Sequence, residues 1–137
     1  MPSLADSARA DRFLPLPQGR TEAGAPRRTG VEIEFGGLHE DRVAEVVVAG
    51  LGGHVARRDA NTVTLEGTDI GTVEILLDTK FRKSDPGPVR AALLDWARSV
   101  VPVELVTAPL PFEDLPKVEA LRAALREAGA SGTRRGA

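Results

Sequence analysis

The stretch Gly30-Val31-Glu32-Ile33-Glu34-Phe35-Gly36-Gly37 alternates apolar and acidic residues between glycines. A period of two is what a β-strand imposes, because successive side chains leave opposite faces. Val31, Ile33 and Phe35 then enter a core. Glu32 and Glu34 stand together on the other face, about 7 Å apart by strand geometry. Two like charges held that close are easiest to explain when a cation or a positively charged substrate lies between them. The strand is therefore a candidate metal site, in a chain with no cysteine and two histidines.

Composition narrows the setting. The 137 residues allow one domain at most, with a core of its own. Hydrophobic residues make up 42% and charged residues 28% of the chain, ordinary values for a globular protein. A net charge of −2 gives no broad electrostatic case for nucleic acid or an anionic membrane. No apolar run approaches the roughly 20 residues that span a bilayer. The first thirty residues hold no apolar block of signal-peptide type. The absence of cysteine excludes disulfides and thiolate metal sites, so a reducing cytoplasm is the expected location. Fifteen arginines against three lysines, with abundant alanine, point to a high-GC bacterial genome.

The chain divides into three parts. Residues 1–29 carry Pro2, Pro15, Pro17, Pro26 and several arginines without a sustained period, and read as a flexible leader. Within it, Phe13 to Pro17 is expected as a short extended segment on the body. Residues 30–128 are the folded body. Val43, Val46, Val47 and Leu51 have helical spacing, and Gly50, Gly52 and Gly53 stop that helix. His54–Arg58 and Thr62–Glu66 read as strands joined by a turn, and Thr72–Asp78 as a third. Ser84-Asp85-Pro86 starts a helix reaching about Ser99, with Trp96 in its apolar stripe. Val103–Thr107 is a strand. A last helix covers about Glu113 to Ala128, with Leu115, Val118, Leu121 and Leu125 on one side and Gly129 as its cap. Residues 129–137 are a terminal loop after which the domain is expected to be incomplete. The order β-α-β-β-β-α-β-α, with three strands in succession, predicts an α+β fold with antiparallel pairing.

The acidic residues repeat the pattern of the first strand. Glu74 and Asp78 oppose Val73, Ile75 and Leu77, and Glu104 opposes Val103, Leu105 and Thr107. If the three strands are neighbours with matched faces, Glu32, Glu34, Glu104 and Asp78 converge. An all-oxygen array favours hard cations, Mg²⁺ or Mn²⁺, which keep waters and bridge to phosphates. The plain alternative is a solvated sheet face, where alternating carboxylates cost nothing.

Gly30-Val31-Glu32-Ile33-Glu34-Phe35 resembles the opening motif of the putative amidoligase family, a branch of the carboxylate–amine ligase superfamily that includes glutamine synthetase. Glu104-Leu105-Val106-Thr107-Ala108-Pro109-Leu110 resembles the second motif of that family, and the helix ending Leu125-Arg126-Glu127-Ala128-Gly129-Ala130 is also similar. The resemblance covers about residues 28–133. It implies the N-terminal part of a glutamine-synthetase-like domain, with a curved, largely antiparallel sheet and helices on one face. It further implies that carboxylates hold Mg²⁺ around ATP, which activates a substrate carboxylate as an acyl phosphate for attack by an amine. Glu32, Glu34 and Glu104 match the catalytic and metal-binding positions. Asp78 is the fourth metal candidate, with Glu74 as its substitute. Lys80 and Arg82, with Lys83, are the candidates for gripping phosphate. The substrates implied are small-molecule or peptide carboxylates and amines, and a homo-oligomer would cover exposed sheet. The family's usual later strand with histidine and further basic residues is not in the chain. His39 and His54 match no such motif, and both read as structural. That departure motivates a second reading: a non-catalytic α+β module or a ligase relic acting in assembly or binding.

Overall fold

The computed structural model describes residues 13–77 and 102–132. Asp78, Lys80, Arg82, Lys83, Trp96, Arg134 and Arg135, together with the helix expected from Ser84, lie outside the described residues. The elements are β1 (Arg28–Thr29), β2 (Glu32–Phe35), α1 (Glu40–Leu51), β3 (His54–Arg58), β4 (Thr62–Thr68), β5 (Gly71–Leu77), β6 (Val103–Thr107), β7 (Leu110–Pro111) and α2 (Leu115–Ala128). A single 3-10 turn, Phe112–Asp114, leads into α2.

Five strands form one sheet in the order β2-β6-β5-β4-β3, and every neighbouring pair is antiparallel. The protein is thus α+β with antiparallel sheets. β1 and β7 form a second, two-stranded sheet, in which Arg28 faces Pro111 and Thr29 faces Leu110. This pairing ties the end of the leader to the body. In the Phe13–Pro17 segment Leu14 is 88% exposed and Leu16 is also exposed, while Phe13 is half-buried.

α1 begins where His39 caps it. The Nδ1 atom of His39 accepts the Asp41 backbone N–H at 3.2 Å, and Glu40 and Asp41 place negative charge at the helix's positive end. The helix buries Val43, Ala44, Val47 and Leu51. α2 has a proline in its first turn and ends at Gly129, whose φ of 121° suits a residue without Cβ. It buries Val118, Leu121 and Leu125. Both helices meet one face of the sheet, where Val63 and Leu65, Val73 and Ile75, and Val103 and Leu105 complete the core.

Gly37 locks the end of β2 against the end of α2. Its φ is +86°, and a Cβ there would lie 2.7 Å from the Gly129 carbonyl oxygen. Gly37→Ala meets both backbone strain and a clash, so it is expected to cost about 2 kcal/mol or more. The neighbouring Gly36→Ala is expected to be near neutral, because its Cβ would find its nearest neighbour, Ser131 Oγ, at 3.9 Å. Urea unfolding of the two variants checks this as a lower midpoint for the first alone.

Candidate functional site

The β2–β6 and β5–β6 registers fix where the carboxylates stand. Glu34 lies directly opposite Glu104, and Glu104 opposite Leu76 on β5. One step along, Glu32 faces Val106 and Val106 faces Glu74. That second row continues to Thr64 and then Arg57 at the far edge. All of these side chains leave the sheet opposite the core residues, by the alternation of each strand. Glu32, Glu34 and Glu74 are exposed, and Glu104, Val106 and Leu76 are half-buried.

The Glu34–Glu104 pair is closer than its neighbours. The Thr107 N–H donates to the Val31 carbonyl at 2.9 Å. Val31 and Thr107 therefore sit at a hydrogen-bonded position of the ladder. Alternation along the register then puts Ile33–Leu105 at another, and Glu34–Glu104 at a non-hydrogen-bonded one. There the Cα atoms approach to about 4.5 Å and the side chains lie closest. Like charges at that position are destabilising in the absence of a counter-charge. Glu32 and Glu74 are separated by two strand spacings, roughly 10 Å.

The expectation that three strands carry carboxylates on one face holds for Glu32, Glu34, Glu104 and Glu74. Their convergence is narrower than alternation suggested. Two of them, Glu34 and Glu104, are direct cross-strand neighbours. Leu76, rather than an acidic residue, occupies the next place in their row, because the β5 register sets Glu74 opposite Val106. Among the described residues no group of three or more His, Asp or Glu side chains is arranged to hold a metal ion. A two-carboxylate arrangement still suits Mg²⁺, which is commonly held by one or two carboxylates together with waters and substrate phosphates. His39 caps α1, a structural role, and His54 is an exposed residue at the start of β3.

A second feature lies at the edge of the sheet. A cleft of ≈ 530 Å³ runs between β2 and α2. Ile33, Phe35 and Leu125 give it an apolar lining, with Ala130, Ser131 and Gly132 at the end beyond α2. Glu34, Arg122 and Arg126 also border it. Arg122 is committed to Glu119. Its Nε and Nη2 donate to the two carboxylate oxygens at 2.9 and 2.6 Å. Those hydrogen bonds first, and the charge of Glu119 second, raise the Arg122 guanidinium above its ordinary value. Arg126 and Glu34 make no ion pair among the described residues. Sequence reasoning missed this cleft. Its one local signal was the pair of arginines four apart, flanking Leu125 on the last turns of a helix.

Fold and site together define an α+β domain whose antiparallel sheet carries a carboxylate row on the face away from its two described helices. The chain belongs to the putative amidoligase family: the profile described as "putative amidoligase enzyme" matches residues 25–137. No curated protein and no solved structure matches the chain.

Proposed function

We propose that this protein is an ATP- and Mg²⁺-dependent carboxylate–amine ligase built on a glutamine-synthetase-like sheet. The observation that carries the reading is the direct cross-strand pairing of Glu34 with Glu104 in a member of an amidoligase family. Glu34 and Glu104 would hold the metal, Mg²⁺ or Mn²⁺, with Glu32 on the same face and Asp78 as the remaining candidate. When bound, the ion would neutralise charge on the ATP phosphates and the transferred phosphoryl group.

The chain's own groups have a defined part in the chemistry. In such a ligase a substrate carboxylate oxygen attacks the γ-phosphorus of ATP, and the bond to the β-phosphate oxygen breaks to release ADP. An amine then attacks the acyl carbon, loses a proton, and phosphate leaves. Protein carboxylates repel every anion in that sequence, so they contribute by positioning cations and by accepting the proton of the amine. Glu32 is exposed at the end of the row and is the acidic group best placed for the second task. The β2–β6–β5 ladder fixes the backbone positions from which these side chains project.

The test is amine-dependent ADP release with a panel of candidate acids and amines. Wild-type protein is expected to release ADP only when acid and amine are both present. The Glu32→Gln, Glu34→Gln double variant is expected to lose that release while keeping its circular dichroism spectrum. Equal turnover in the two proteins would refute the carboxylate site, and no ADP release from the wild type would favour a non-catalytic module.

A further inference from the structure

The sheet face that carries Glu34 and Glu104 at one end carries a cation at the other. Of the five strands in the sheet, β3 alone contains arginine or lysine, and it holds two in succession, Arg57 and Arg58. The register sends them to opposite faces. Arg58 lies opposite the buried Val63, and its guanidinium meets Asp41 in the first turn of α1 at 2.5 Å. Arg57 lies opposite Thr64, and residues directly opposite share a face. Across the sheet, Thr64 is followed by Glu74, Val106 and Glu32. Arg57 thus closes the row that Glu32 opens.

A bulge produces this placement. His54 opposes Glu66 and Val55 opposes the core residue Leu65, but the register then shifts before Arg57. Plain alternation would put Ala56 on the carboxylate face and turn Arg57 toward the helices. The extra residue reverses that, and bulges are frequent beside functional sites, where they re-aim a side chain. The fold gains little from it. Arg57 pairs with Asp59 at 3.7 Å, with side chains 77% and 46% exposed, and such solvent-exposed pairs contribute little stability. Asp59 has other work, since its Oδ1 accepts the N–H groups of Asn61 and Thr62 at 2.9 Å.

We propose that Arg57 binds the phosphate chain of the nucleotide at the end remote from the metal. Its guanidinium would take non-bridging phosphate oxygens in a two-point contact, the geometry for which arginine is suited. The metal at Glu34 and Glu104 would hold the other end, if the ligase reading is right, on which this assignment rests. Glu104 and Arg57 stand on strands three spacings apart, roughly 14 Å. A long arginine side chain and an extended phosphate chain together bridge that gap. From Glu104 the row runs over Leu76 and Thr62, both uncharged and half-buried, with Glu74 to one side. The phosphates can therefore lie along the face without crossing a carboxylate. The absence of an acidic residue next to Glu104 on β5 then has a purpose: Leu76 leaves the path of the anion clear.

Titration calorimetry of MgATP into the 137-residue chain and its arginine variants tests the assignment. Arg57→Ala is expected to weaken binding about tenfold, the scale of a lost hydrogen bond to a charged group. Arg57→Glu should weaken it further, and Arg57→Lys should fall between Arg57→Ala and the wild type. Arg57 is exposed, so its variants should keep the wild-type melting temperature. Arg58→Ala removes the same charge from the helix side of the same strand, and should leave affinity within about twofold. Equal losses in Arg57→Ala and Arg58→Ala would overturn the proposal, because net charge would then explain both. MgATP binding that weakens in Glu34→Gln but not in Arg57→Ala would sink Arg57 while sparing the ligase. The absence of MgATP binding to the wild-type chain would remove the ligase reading, and the role of Arg57 with it.

Discussion

Leu105→Ala is expected to lower the unfolding free energy by about 3 kcal/mol, within the roughly 2–5 kcal/mol seen for leucine truncation in cores. Leu105 is fully buried, at 0% exposure, and sits between Ile33 and Ile75 in the registers of β6 with its two neighbours. Removing its side chain leaves a cavity that strands on both sides cannot close, because their ladders hold them apart. Domains have only about 5–15 kcal/mol of stability in total. The melting temperature should therefore fall on the order of 10 °C. Val106, the next residue on the same strand, supplies the control. It is half-buried on the acidic face between Glu32 and Glu74, and Val106→Ala should cost about 1 kcal/mol or less. Equal losses in the two variants would contradict a core confined to the helix side of the sheet.

Glu34→Gln is expected to weaken nucleotide binding while leaving the fold intact. Glu34 is exposed at the sheet edge and makes no ion pair among the described residues, so the near-isosteric amide should change the unfolding free energy of the metal-free protein by less than about 0.5 kcal/mol. The same substitution removes a proposed metal ligand. Loss of a mere supporting partner of a ligand typically weakens metal affinity about 10–100-fold, so loss of the ligand itself should weaken MgATP binding at least tenfold.

Much of this fold could be read from side-chain periodicity. Val31-Glu32-Ile33-Glu34-Phe35 and Val103-Glu104-Leu105-Val106-Thr107 alternate cleanly, and the structure buries Phe35, Val103, Leu105 and Thr107 while leaving Glu32 and Glu34 exposed. Helix spacing likewise placed Val43, Val47 and Leu51 in the core, along with Val118, Leu121 and Leu125. Strand pairing was harder to read, because it joins residues far apart in the chain. Nothing near Glu34 announces Glu104 as its neighbour across the ladder. Alternation assigns a residue to a face, but register assigns it to a row, and a shift of two residues keeps the face while changing the neighbour. That is why Leu76 rather than a carboxylate completes the row of Glu104. β1 and β7 escaped notice because two residues are too few to show a period. The cleft escaped notice because its two walls, β2 and α2, are separated in sequence by most of the domain.

The resemblance carried the function further than the spacing did. Spacing alone favoured a solvated sheet face over a metal site as the explanation of Glu32 and Glu34. Family membership together with the Glu34–Glu104 pairing across the ladder is what supports the proposed metal site.

Calorimetric titration of MgATP into the wild-type chain and into Glu34→Gln tests the central claim most directly. The account predicts saturable binding to the wild type that weakens at least tenfold in the variant, whose melting temperature is nearly unchanged. Identical MgATP binding by both proteins would show that the carboxylate pair is not a metal–nucleotide site.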